Sequence, residues 1–342
     1  MRSMVSFVLA CAGFAAASFV PPAAASELNV YSARHYPSDD ALYEGFGKAT
    51  GIKVNRVEAS GDQLLARLRQ EGRNSPADVL VVVDAGNLWL AERDGLFRPL
   101  RSAALEKAIP ARLRHPDGLW FGFATRARVV VYNKNAVRAA DAPKRYEDLA
   151  EARWKGKVCM RSSSSVYNLS LMASLIHHLG EEKAEDWARG LVANFARDPK
   201  GGDTDQIRAV ATGECAVALA NTYYAVRLMK SDKDADRAVA AKIGIVFPNQ
   251  DDRGTHINIS GAGLLAHAPH PENAVRFLEY LLGPEAQALF AVANNEYPVA
   301  PGVAAEPVLS SLGSFKTDDL GVHVLGANQA RAQKVYDRAG FK

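Results

Sequence analysis

The stretch ADVLVVVDA, residues 77–85, is apolar at nearly every position. Side chains on a strand alternate between faces, so a run without polar alternation belongs to a strand covered on both sides, as in the middle of an α/β sheet. Its context agrees. ELNVYSARHY (27–36) reads as a short strand entering a turn, and IKVNRVEA (52–59) as a second strand. Between them, DDALYEGFGKATG places Leu42, Tyr43, Phe46 and Ala49 at helical spacing, with Gly51 as a stop. SGDQLLARLRQEG (60–72) is a second helix, with Ser60 or Asp62 available as its cap. Strand, helix, strand, helix, strand at this spacing predicts an open α/β sheet with parallel crossovers.

LWFGFATRARVVVYNKN (119–135) sets two apolar runs around Arg126 and Arg128 and reads as a passage from one lobe to another. A second α/β set follows: GKVCMRSS, the helices YNLSLMASLIHHLG and EEKAEDWARGLVANF, then ECAVALANTYY. The strand-rich segment 242–266 carries the chain back, and PENAVRFLEYLLGPEAQALFAVAN gives two further helices with Pro at their starts. The expected organisation is one lobe from 27–125 and 254–342 and another from 126–253, with the last helices free to pack on either. Ligands of such folds sit beyond the carboxyl ends of strands, here in the cleft between lobes.

Residues 1–26 stand apart. Arg2 precedes an uncharged apolar run, and AAAS supplies the small residues of a cleavage site after Ala25 or Ser26, which predicts an export signal removed in the periplasm. VLAC, ending at Cys11, is a weaker lipoprotein-like alternative. The chain carries 41 basic and 38 acidic side chains, of which the leader holds only Arg2. That near-balance argues against a nucleic-acid groove, which needs a concentrated basic surplus. Two cysteines follow the leader, Cys159 and Cys215. In an oxidising compartment they form a disulfide or stay as two buried thiols, and the sequence leaves both open.

The residues just after the predicted strands include Tyr36, Tyr167 and the neighbours Tyr223 and Tyr224, with Arg227 one helical turn further on. A strand-to-helix junction is expected to let adjacent side chains converge. A phenolate is a hard anionic oxygen donor, suited to a small, highly charged ion such as ferric iron. Ionising one phenol at neutral pH costs about 3 pKa units, roughly 4 kcal/mol, and four cost on the order of 16 kcal/mol. A tripositive ion at bonding distance can offset that, so affinity should fall as pH drops. Four phenolates around a 3+ ion leave one negative charge, which Arg227 and Arg126 are placed to balance.

Here YSARHY, SPADVLVVVDAGNLWLAERDGLF, RSSSSVYNLSL, GECAVALANTYY and NNEYPVAPGV resemble the periplasmic ferric-iron-binding proteins of ABC transporters. The likeness runs in order from about residue 28 to the end, and is greatest to the subgroup typified by cyanobacteria, in which tyrosines hold iron without a synergistic anion. The resemblance implies a two-lobed type II periplasmic-binding-protein fold that closes over Fe(III). It places metal ligands at Tyr36, Tyr167, Tyr223 and Tyr224, and charge balance at Arg126 and Arg227. His35 matches a position that is a fifth ligand or a close neighbour in relatives. Relatives can also accept Fe(II). The implied partners are an inner-membrane ABC permease and its separate ATPase, with the binding protein itself a monomer and not an enzyme.

Two rivals compete. A polyamine or other small organic ligand would need acidic residues among the aromatics. A secreted hydrolase using Ser164 or His35 would need a base and an orienting carboxylate at strand ends, and no such set is legible. His177 and His178 lack the i, i+4 spacing of a zinc pair. The serine run 162–165 reads as a helix start able to hydrogen-bond the phenols.

Overall fold

The structure is a computed structural model and describes residues 26–34, 36 and 39–342. The leader expected over residues 1–26 therefore lies, but for Ser26, outside the described residues. Among the described residues nine strands form: β1 (Glu27–Ser32), β2 (Lys53–Glu58), β3 (Val79–Val83), β4 (Phe121–Asn133), β5 (Val158–Cys159), β6 (Val217–Asn221), β7 (Ile243–Val246), β8 (Ile257–Leu264) and β9 (Tyr297–Pro298). β1 lies between β2 and β3 and runs parallel to both. The intervening helices span Asp39–Thr50 and Gly61–Glu71. Ser60, rather than Asp62, caps the second: its hydroxyl accepts from the Gln63 amide while the Gln63 side chain accepts from the Ser60 amide. Val79, Leu80, Val81 and Val82 of β3 are all buried, as double-sided cover requires.

The thirteen-residue strand β4 organises the rest. Its first part pairs antiparallel with β8, ending at Ala127–Ile257. From Arg128, opposite Asn221, it pairs antiparallel with β6, and on its other edge with β7. The sheet is thus not wholly parallel. β4 leaves the first set of strands and β8 returns to it, and strands crossing in opposite senses must pair antiparallel. The full order is β2-β1-β3-β8-β4-β6-β5, with β9 added to β4.

Two apolar cores result. One gathers Leu28, Val30, Leu80, Phe121, Phe123 and Phe277; the other gathers Trp154, Leu171, Leu175, Trp187, Val217 and Leu219. The first core also takes in Cys159, Ile207, Val210 and Ala220, so it runs along β4 past the crossing. The final helix, Gln329–Arg338, puts Ala332, Val335 and Tyr336 into the second core, and the Tyr336 hydroxyl donates to the Asn168 carbonyl at 3.0 Å. Among the described residues, no helix is long and apolar enough to cross a membrane.

Cys159, at the end of β5, and Cys215, just before β6, are joined in a disulfide with Cα atoms 5.8 Å apart. This closes the question left open by the sequence. β5 and β6 share only two register pairs, so the covalent link secures a weak seam. Closing a loop of 56 residues' separation stabilises the folded state by about 4 kcal/mol in the chain-entropy account. The double substitution Cys159→Ser with Cys215→Ser is expected to cost about 2–4 kcal/mol, read as a lower denaturant midpoint. An unchanged midpoint would show that the seam holds without the bond.

Candidate metal-binding site

The carboxyl ends of three strands deliver the phenols. Tyr36 lies between β1 and the helix Asp39–Thr50, and its carbonyl accepts from the Asp39 amide at 2.9 Å. Tyr167 is the second residue of the helix Val166–Leu179, which follows β5. β6 ends at Asn221, and Tyr223 and Tyr224 fall in the first turn of the helix Thr222–Met229. The two neighbours are therefore already helical, not in an irregular junction as the sequence reading had it. They converge because their rings pack 4.2 Å apart at a 33° tilt.

The four phenols meet. The Tyr167 and Tyr223 hydroxyls are hydrogen-bonded at 3.1 Å, and the Tyr36 ring meets Tyr223 edge-on with centroids 6.5 Å apart. Arg227 lies 5.6 Å from the Tyr36 ring and 5.5 Å from Tyr224, bridging the segments. Its side chain has no carboxylate partner among the described residues. His35 lies outside the described residues. The serine run is the helix start that was expected, with Ser165 at the N-cap of Val166–Leu179, while Ser162 and Ser164 bond each other at 2.9 Å and the Tyr167 hydroxyl bonds Tyr223 instead. His178 bonds Asp318 at 2.8 Å.

Around the phenols lies a shell of buried guanidiniums, most of it without an assigned role in the sequence reading. Arg34 sits 4.9 Å from the Tyr36 ring, Arg161 4.9 Å and Arg126 5.9 Å from the Tyr167 ring. Glu296, fully buried, accepts from Arg34 at 3.1 Å, from Arg126 at 3.0 Å and from the Ser260 hydroxyl at 2.7 Å. Asp203, also buried, accepts from Arg128 at 2.7 Å, Arg161 at 3.2 Å and the Asn221 amide at 2.7 Å. The nearest sequence signals were the strand-end positions of Arg34 and Arg161 and the NNEYPV motif. Neither discloses a pairing across 170 or more residues.

Burial decides the protonation of these phenols. The Tyr36 phenol is pushed up to about 12 by burial and by Glu296, against the pull of Arg34 and Arg126. Tyr167 is held well above the usual phenol range by burial first and then by Tyr224, and Tyr223 by burial first and then by Tyr167. Tyr36, Tyr167 and Tyr223 therefore rest neutral at pH 7 and ionise only against a strong positive charge. Among the described residues, no group of three or more His, Cys, Asp and Glu side chains is placed to hold a metal ion. The gap beside Tyr167, lined by Asp84, Arg126, Arg128 and Asn258, is too tight to admit even a water molecule. The acid that a polyamine would need is sealed between two arginines.

A two-lobed α/β molecule with chemically specialised side chains meeting at strand ends is a ligand-binding protein. Residues 74–316 match the family described as bacterial extracellular solute-binding proteins. The chain is 50% identical to iron uptake protein A1 of Synechocystis over 321 residues, covering 94% of this chain and 89% of that one. Among solved structures it is similar to a Trichodesmium protein described as in complex with iron and citrate ligands, at 54% identity and TM-score 0.90, covering 93% of this chain and all of that one. It is also similar to the ferric iron-binding protein A of Mannheimia haemolytica in an open conformation, at 40% identity and TM-score 0.86, covering 93% and 99%. The chain belongs to the bacterial extracellular solute-binding proteins, in the group that includes these iron proteins.

The scaffold carries its own test. Asp203→Ala leaves Arg128, 2% exposed, without its carboxylate, and breaking a buried pair from one side costs about 3–5 kcal/mol. The expected result is a lowered unfolding midpoint. No loss of stability would mean that the pair is dispensable.

Proposed function

We propose that the chain is the periplasmic solute-binding component of an iron ABC transporter, carrying Fe(III) on the phenolates of Tyr36, Tyr167, Tyr223 and Tyr224. The observation that carries this is the meeting of four phenols from three distant segments inside a shell of arginines. Neutral phenols in that shell give a cargo ion nothing unless it displaces their protons, and a small trivalent ion is the species with charge enough to do so. Iron uptake or iron binding is what the named relatives' own descriptions record, and Fe(II) is a second state the site can be tested for.

Tyr167, Tyr223 and Tyr224 stand on the β5–β6 side and Tyr36 on the β1 side. Capture on the first three, followed by closure that brings Tyr36, excludes water and completes the shell. The lobes are 27–125 with 254–342, and 126–253; the changeover of β4 from β8 to β6 at Ala127–Arg128 supports a boundary there. The closed form would then be read by an inner-membrane permease with a separate ATPase. We further propose a monomer without catalytic activity, exported by the leader at 1–26 and cleaved in the periplasm. His35 stays in this proposal as an additional ligand or neighbour, and Arg126 and Arg227 as charge balance.

Adding ferric salt to the iron-free protein is expected to produce a visible phenolate-to-iron absorption band; a colourless protein under saturating iron would sink the assignment. Tyr224→Phe keeps the ring and removes one donor, and should lower ferric retention against citrate by about a hundredfold or more, about 2.7 kcal/mol. The sign of the pH effect follows from the raised phenols: binding must expel their protons, so affinity falls as pH falls. Ferric affinity independent of pH between 5 and 8 would contradict phenolate ligation.

A further inference from the structure

Glu296 is held by three devices at once. The antiparallel register of β9 on β4, with Tyr297 opposite Thr125, places it opposite Arg126. Asn295, at φ 57°, turns the chain before it, and its own amide bonds the Phe290 carbonyl at 3.2 Å. One carboxylate oxygen takes Arg126 and Ser260; the other takes Arg34. Arg34 lies against the Tyr36 ring and Arg126 against the Tyr167 ring. The carboxylate is thus one guanidinium away from a phenol on each side, with no exposure to water.

We infer that Glu296 is a specificity-determining residue that sets the preference of the phenol cluster for a trivalent over a divalent cation. The inference rests on the iron reading above. A trivalent and a divalent ion of one metal on the same four oxygens differ by one charge, so their relative affinity follows the potential that the surrounding charges impose. Water does not screen a fully buried carboxylate. Its negative charge lowers the potential at the site and favours the more highly charged ion. Arg34, from the same ion-pair group, acts with opposite sign. Loss of packing alone would show no such reversal.

The test is the midpoint potential of bound iron, measured by mediated spectroelectrochemistry on the whole iron-loaded protein. Glu296→Gln is expected to weaken the ferric-over-ferrous preference at least tenfold, a shift of about 59 mV to more positive potential. Glu296→Asp, which keeps the charge, should shift it by much less. Arg34→Gln should move it to more negative potential, and the double variant should return towards the parent value. An unchanged or more negative potential in Glu296→Gln overturns the inference. Should that variant not fold, Arg34→Gln decides: a positive shift there would mean packing loss rather than charge. A parent protein that takes up no ferric iron would fail the iron reading itself, and is seen before any variant is made.

Discussion

Burying guanidiniums beside phenols is tolerable only because carboxylates share the same interior. Arg34, Arg126 and Arg128 are each 1–2% exposed, and each is tied to Asp39, Glu296 or Asp203. Ions taken from water are costly unless paired and hydrogen-bonded, and here the pairs also accept from Ser260, Asn221 and neighbouring groups. The network does not exist to stabilise the fold, since apolar residues would do that as well. What it achieves is a fixed field of paired charges around four hydroxyls that would otherwise lie in ordinary packing.

That field depends on β4. Arg126 and Arg128 are two apart on one strand and share a face, at the place where the strand changes partners from β8 to β6. Arg126 meets Glu296 from the first lobe's returning segment, and Arg128 meets Asp203 from the second lobe's helix Asp203–Thr212. The strand that joins the lobes therefore holds one cation for each. Closure and charge arrangement are thereby coupled through one rigid element.

Much of the fold was legible because it rests on local signals. The buried run at β3, the capped helix after Ser60 and the Pro-initiated helices Pro271–Tyr280 and Pro284–Ala288 all follow from period, caps and punctuation. The antiparallel insertion of β8 was not legible, because pairing partners are chosen by tertiary path and not by composition. The phenols were legible as a group because strand ends are identifiable and tyrosine is an unusual residue to repeat there. Glu296 and Asp203 were not, since an acid that pairs across 170 or 75 residues looks in sequence like any surface acid. The neighbouring tyrosines were found for a partly mistaken reason, as their convergence is a packing of rings within a helical turn.

A site built from carboxylates would stand ionised at neutral pH and hold any divalent cation that passed. Phenols raised by burial stay protonated until an ion of sufficient charge arrives, so proton displacement acts as the filter. The same property makes binding reversible. On the proposed reading, opening the lobes separates Tyr36 from the other three, readmits water and returns protons to phenols that burial holds neutral. Discrimination on entry and release on opening are then two consequences of one physical cause, the cost of keeping a phenolate where only a concentrated positive charge can sustain it.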